Sequence, residues 1–219
     1  MERKRHYWRI VLAVATATVA LALPGTGQAA LLGDALPGLL SPAGGNPVCD
    51  TNAYQAFRGF GDSAYYVLMP GGAFEGGNSW ALKGGAKVVR GNESYYVHGR
   101  NDVSSLYLPS GASATTPLMC FDFADWHLRF FARDNYSGGK DSGGKVRVTV
   151  QIKSLVGVLS VLDAGTFDPS SGWRPSPRIG LLISNLGGLL VTDAIQFRFT
   201  AVGGSVQLDD AYLDPWKNT

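Results

Sequence analysis

Two stretches carry the strongest alternation in the chain. Ile195, Phe197 and Phe199 are interleaved with Gln196, Arg198 and Thr200, and Val146, Val148, Val150 and Ile152 with Arg147, Thr149 and Gln151. A period of two is that of a strand with one buried and one wet face. Matching alternation predicts that the two polar phases share one sheet surface. Beyond Gly203-Gly204, Val206 to Leu213 reads as the return strand of a hairpin, with Asp209 and Asp210 breaking an apolar run. Strict alternation puts these two acids on opposite faces, with Asp209 toward water. Pro215 ends the pairing, because it has no backbone donor. Upstream, shorter strands are predicted at Tyr65 to Met69, from Trp80 (WALK), at Ala86 to Arg90, Ser94 to His98, Ser104 to Leu108, Leu118 to Phe123, His127 to Arg133, Leu155 to Leu162 and Ile179 to Ser184, punctuated by Gly, Pro and Asn turns. No helix-length amphipathic pattern intervenes. About eleven strands are too many for one open sheet to cover its apolar face, so the expected fold is all-β, with two packed sheets forming a β-sandwich.

The N-terminus changes the accounting. Met1 to Arg9 is basic, Ile10 to Leu23 is apolar, and Gly27-Gln28-Ala29 offers small residues where a signal peptidase cuts. Residues 1–29 are read as a signal peptide; the apolar run falls short of the ~20 residues of a membrane-spanning helix. Ala30 to Pro47, with four glycines and three prolines, reads as a flexible linker, and 48–219 as the folded domain. Losing Arg3, Lys4, Arg5 and Arg9 with Glu2 leaves 15 Lys and Arg against 16 Asp and Glu. A near-neutral domain without a basic cluster excludes a nucleic-acid footprint. Both cysteines, Cys49 and Cys120, lie beyond the leader, and export predicts a disulfide between them. Secretion into the extracellular space follows, with no membrane attachment after cleavage, and the domain is expected to be a monomer.

Phe74-Glu75 followed by Trp80, the strand end Ser105 to Pro109, the strand Arg129 to Ala132 and the terminal Leu208-Asp209-Asp210-Ala211-Tyr212 together resemble galactose-binding-like jelly-roll domains, a group that includes carbohydrate-binding modules. The likeness, which runs from Cys49 to Trp216, extends to secreted jelly-roll proteins of actinobacterial type. It implies a jelly-roll sandwich that binds extracellular glycan without catalysis. Members of this group often hold a structural calcium (Ca2+) between the Glu of the first motif and an Asp of the last strand, which here implies Glu75 with Asp210 or Asp209. Calcium takes six to eight hard oxygen ligands, and carbonyls of the glycine turn beside Glu75 are available to complete such a set.

Binding a sugar takes aromatic faces for its apolar side and amides or charged groups for its hydroxyls. Arg147, Gln151, Gln196 and Arg198 stand in the polar phase of their strands, and Tyr96, His98 and Trp173 are the candidate platforms and flanks. Enzyme-like signals fall away on inspection. Gly139 to Lys145 has the Gly and Lys spacing of a phosphate loop, but Val146 stands where Ser or Thr is required and a strand follows in place of a helix. Gly61-Asp62-Ser63 lacks a suitably placed histidine base. Glu75 and Glu93 are the only glutamates beyond the leader, which gives no paired catalytic carboxylates above background, and Asp122, Asp125 and His127 lack a further ligand for zinc. The alternatives to glycan binding are a surface protein making protein contacts and, third, a glycoside-acting hydrolase.

Overall fold

In the computed structural model, residues 48, 52–120, 126–135, 143–154, 157–169, 171–181 and 194–214 are described. They form an antiparallel two-sheet β-sandwich of jelly-roll type, with one short 3-10 turn, Arg58–Phe60. The proposed leader and linker lie outside these residues, as do Asp122, Asp125 and most of the glycine-rich loop before Lys145.

One sheet has six strands: β3 (Ala81–Lys83), β6 (Ser113–Thr115), β7 (Met119–Cys120), β9 (Lys145–Ser154), β10 (Gly157–Phe167) and β13 (Ala194–Val202). Its path is β10-β9-β13-β6-β3, and β7 also pairs with β13. The register sets Gln196 opposite Gln151, Arg198 opposite Thr149 and Thr200 opposite Arg147, so the two polar phases do share one surface. Val146, Val148, Val150, Ile195, Phe197 and Phe199 fill the other face and are almost wholly buried.

The second sheet has eight strands: β1 (Ala53–Tyr54), β2 (Tyr66–Leu68), β4 (Lys87–Arg90), β5 (Ser104–Leu108), β8 (Trp126–Asp134), β11 (Arg174–Pro175), β12 (Ile179–Leu181) and β14 (Val206–Asp214). β14 is its axis. It pairs with β8 along one side, and along the other with β5 at Val206 to Leu208 and β2 at Tyr212 and Leu213. Leu106, Leu108, Leu128, Phe130, Val206, Leu208 and Leu213 join the side chains of the six-stranded sheet in the main core. The outer face is covered in part by the segment after β1. Phe57 packs there on Tyr66, Phe131 and Tyr212, with ring centroids 5.0 to 5.4 Å apart, and forms a second apolar cluster.

Three expectations are corrected. Ser94 to His98 is loop, not strand: Tyr96 sits at φ 54°, a left-handed backbone that pairing cannot use. Of Leu118 to Phe123, only Met119–Cys120 is strand among the described residues. Asp209 and Asp210 are not split between a wet and a dry face. Asp209 opposes Phe131 and Tyr212 opposes Arg129, so β14 carries one extra residue at this point, a β-bulge, with Asp210 at φ 46°. The extra residue resets the alternation, and every residue of β14 is buried.

Candidate functional site

The bulge is held by the loop between β4 and β5. Both oxygens of Asp209 accept backbone N–H bonds, from Glu93 at 2.8 Å and from Asp210 at 2.9 Å, while Asp210 Oδ2 accepts the His98 N–H at 2.9 Å. Glu93 is itself fully buried and accepts N–H bonds from Tyr95 and Val97, both at 2.5 Å. Such a cradle fixes a short loop in a left-handed conformation that Tyr96 would not adopt unaided. Burial is the main reason these carboxyls are hard to ionise. Asp209 is pushed up to about 9 by burial and then by the charge of Asp210; Asp210 is pushed up to about 7 by burial, with Glu93 and Asp102 adding to it. Glu93 is raised by burial too, against the pull of its N–H donors.

The loop carries two aromatic rings to the surface. Tyr95 and Tyr96 stand about half exposed. Tyr95 packs edge-on against Phe60 at 4.9 Å and lies over Phe131 at 5.6 Å, and its hydroxyl donates to the Trp173 carbonyl at 3.2 Å. Trp173, half-buried beside β11, carries the Arg133 guanidinium 5.2 Å from its ring. From Arg133 a single row crosses the outer face of the eight-stranded sheet. Register sets Arg133 opposite Gln207, Gln207 opposite Tyr107 and Tyr107 opposite Lys87. Arg133 Nε donates to Gln207 Oε1, and Lys87 Nζ sits 5.9 Å over the Tyr107 ring. The result is a shelf of aromatic rings, an amide and two cations, walled by Tyr95 and Trp173.

The residues singled out in the sequence divide between two surfaces. Tyr96, His98 and Trp173 are at the shelf or its loop. Arg147, Gln151, Gln196 and Arg198 lie on the outer face of the opposite sheet, where Arg147 is paired with Asp163 at 2.6 Å and Arg198 donates to Thr115 Oγ1 at 3.3 Å. Arg133, Gln207, Tyr107, Lys87 and Tyr95 were not foreseen. Gln207 stood in the polar phase of its strand, but the row exists only through the register of four strands that are distant in sequence.

The metal expectation meets a different arrangement. Glu75 Oε1 accepts the Val103 and Ser104 N–H groups at 2.7 and 2.6 Å, and the Asp209 oxygens are taken as described. The group of ligand atoms that does converge, within 4.8 Å, comes from Asp210, Asp102 and His98. Asp210 Oδ1 is buried without a hydrogen-bond partner, whereas His98 Nδ1 lies 2.7 Å from Asp102 Oδ2. An imidazole nitrogen among three donors departs from the all-oxygen set that calcium prefers, and of Glu75, Asp209 and Asp210 only Asp210 belongs to this group. As for the cysteines, Cys49 is outside the described residues. Its neighbour Val48 bridges to Met119, accepting from the Cys120 N–H at 3.1 Å and donating to the Leu118 carbonyl at 2.9 Å.

Neither a family model nor a curated protein matches the sequence. Solved structures do resemble the fold. A family 61 carbohydrate-binding module in complex with β-1,4-galactotriose shares 15% identity, over 67% of this chain and 96% of that one, with a TM-score of 0.44. A family 11 module from Clostridium thermocellum in complex with a β-1,3-1,4-mixed-linked tetrasaccharide shares 16% over 70% and 98%, with a TM-score of 0.45. The xylan-binding module CBM15 shares 10% over 71% and 99%, also with a TM-score of 0.45.

Proposed function

We propose that the protein is a secreted, non-catalytic domain that binds extracellular glycan on the outer face of its eight-stranded sheet. The observation that carries this reading is the row Arg133, Gln207, Tyr107 and Lys87 with Trp173 and Tyr95 beside it. Indole and phenol rings take the apolar face of a pyranose, and the guanidinium and ammonium take its hydroxyls. The ring-bearing loop is fixed before ligand arrives by the Glu93 and Asp209 carboxylates, so little ordering entropy is lost on binding. The opposite sheet's outer face, with Arg147, Gln151, Gln196 and Arg198, has amides and cations but no aromatic ring in the described rows that would serve as a platform.

A panel of soluble polysaccharides in affinity electrophoresis tests this. Retardation by at least one glycan is expected, with Trp173→Ala weakening it about tenfold or more and Arg198→Ala leaving it unchanged, since an aromatic platform contributes roughly 1–3 kcal/mol to a stacked ring. Retardation lost in Arg198→Ala but kept in Trp173→Ala would move the site to the other sheet.

A further inference from the structure

Resting on that reading, we propose that the glycan is acidic, and that Arg133 receives a carboxylate of a uronic acid residue. Two other strand arginines, Arg129 and Arg147, are already engaged. Arg129 Nη1 meets Asp62 at 2.8 Å and its Nε and Nη2 both donate to the Ser176 carbonyl, and Arg147 meets Asp163. Arg133 differs. It is partly buried, its Nε is committed to Gln207, its guanidinium carbon lies over the Trp173 ring, and among the described residues neither of its Nη nitrogens has a hydrogen-bond or ion-pair partner. Burial alone pushes this guanidinium below its usual range.

A guanidinium fixed at Nε and against a ring presents its two remaining N–H edges in a set direction. That is the arrangement that grips a carboxylate with two parallel bonds. At the far end of the row Lys87 repeats the theme, a cation on an aromatic ring with no carboxylate in ion-pair range among the described residues. Three strand spacings separate the two, about 14 Å. Two cations that the fold leaves unneutralised at the ends of one aromatic shelf match a chain with repeating negative charge better than a neutral one. Of the acids in the same sheet, Asp209 and Asp210 are turned under the loop and bonded to N–H groups, Asp134 accepts the Gly143 and Gly144 N–H groups, and Asp214 is buried near His127 and Arg178.

The test compares the purified protein against an oligogalacturonate, a neutral galacto-oligosaccharide of equal length and a sulfated oligosaccharide, by calorimetric titration. The uronate is expected to bind roughly tenfold tighter than the neutral sugar, as a charge-assisted fork exceeds neutral hydrogen bonds. Raising salt from about 0.05 to about 0.5 M should shrink that advantage. Arg133→Met should erase the difference between uronate and neutral sugar, whatever binding it costs both, and Arg133→Lys, a point charge without the fork, should restore only part. Thermal melts of each variant control for folding. Equal affinity for uronate and neutral sugar, or an advantage that survives Arg133→Met, overturns the acidic assignment and leaves glycan binding standing. Preference for the sulfated sugar over the uronate overturns the carboxylate in favour of sulfate. No binding of any of the three overturns both readings.

Discussion

Replacing Asp210 with Asn should make the domain more stable above pH 7 and weaken its unusual pH dependence. Asp210 is fully buried, lies at φ 46°, and accepts one N–H bond through Oδ2 while Oδ1 has no partner. Asn tolerates a left-handed backbone and can keep the His98 bond through its own oxygen, with the amide nitrogen in the place of an oxygen that was already unsatisfied. What the exchange removes is the charge. A carboxyl that ionises at its ordinary 3.8 when unfolded but only near 7 when folded holds a proton that the unfolded chain has released. Stability is therefore full below about pH 4 and falls as pH rises toward 7, by about 1.4 kcal/mol per unit. Across the whole window the loss is about 4 kcal/mol, a large part of what a domain of this size has. Asp209, raised further, acts in the same direction, whereas Asp62 and Asp163, both lowered, stay ionised throughout and leave the slope alone. Urea unfolding followed by tryptophan fluorescence between pH 5 and pH 8.5, with chelator present so that no cation replaces the proton, measures the effect. Wild type should lose midpoint steadily with pH, and Asp210→Asn should gain about 3 kcal/mol over it at pH 8 and show a shallower slope. A wild-type midpoint that is flat or rising over this range, or a variant that keeps the wild-type slope, would refute the account of the buried pair.

Thiol titration of exported protein is expected to find no free cysteine, and reduction to cost about 4 kcal/mol for a loop of 71 positions; two titratable thiols would remove the bridge. Asp62→Ala should destabilise by about 3–5 kcal/mol, because it leaves the Arg129 guanidinium, 8% exposed, without its anion and takes the acceptor from the Tyr66 hydroxyl at 2.7 Å; a loss under about 1 kcal/mol would mean that Ser176 and the Phe57 ring suffice. Calcium added to stripped protein is expected to leave the melting temperature in place, since Glu75 and Asp209 are bound to N–H groups. A rise of several degrees that Asp210→Asn abolishes would return calcium to the fold.

Alternation made the sandwich legible. Val146 to Ile152 and Ile195 to Thr200 have one dry and one wet face, and the structure pairs them as their pattern requires. The same rule misled at Asp209 and Asp210, because a bulge inserts one residue and nothing in a polar pair announces it. It also set the polar candidates Arg147, Gln151, Gln196 and Arg198 on the outer face of the six-stranded sheet, away from the aromatic row of the other sheet. The outer face of the six-stranded sheet looks polar in sequence because water covers it. The outer face of the eight-stranded sheet is apolar at Phe131 and Tyr212, which are covered by Phe57, and polar at half-buried Arg133 and buried Gln207. A face that changes character halfway along has no simple period. Glu93 escaped for another reason: its partners are backbone N–H groups two and four residues on, in a conformation that composition does not encode.

The central place of β14 bears on when the domain can form at all. The strand that ends at Asp214 lies between β8 and the pair β5 and β2, so the eight-stranded sheet has no middle until the chain is made that far. Ala53 to Leu68, near the start of the described chain, reaches its neighbour only across most of the sequence, a contact of high order that makes folding slow. A ribosome still short of position 214 therefore carries a chain whose second sheet has no native arrangement available. Truncation ahead of β14 would therefore leave the sheet in separate parts, β8 on one side and β5 and β2 on the other, rather than merely shorter.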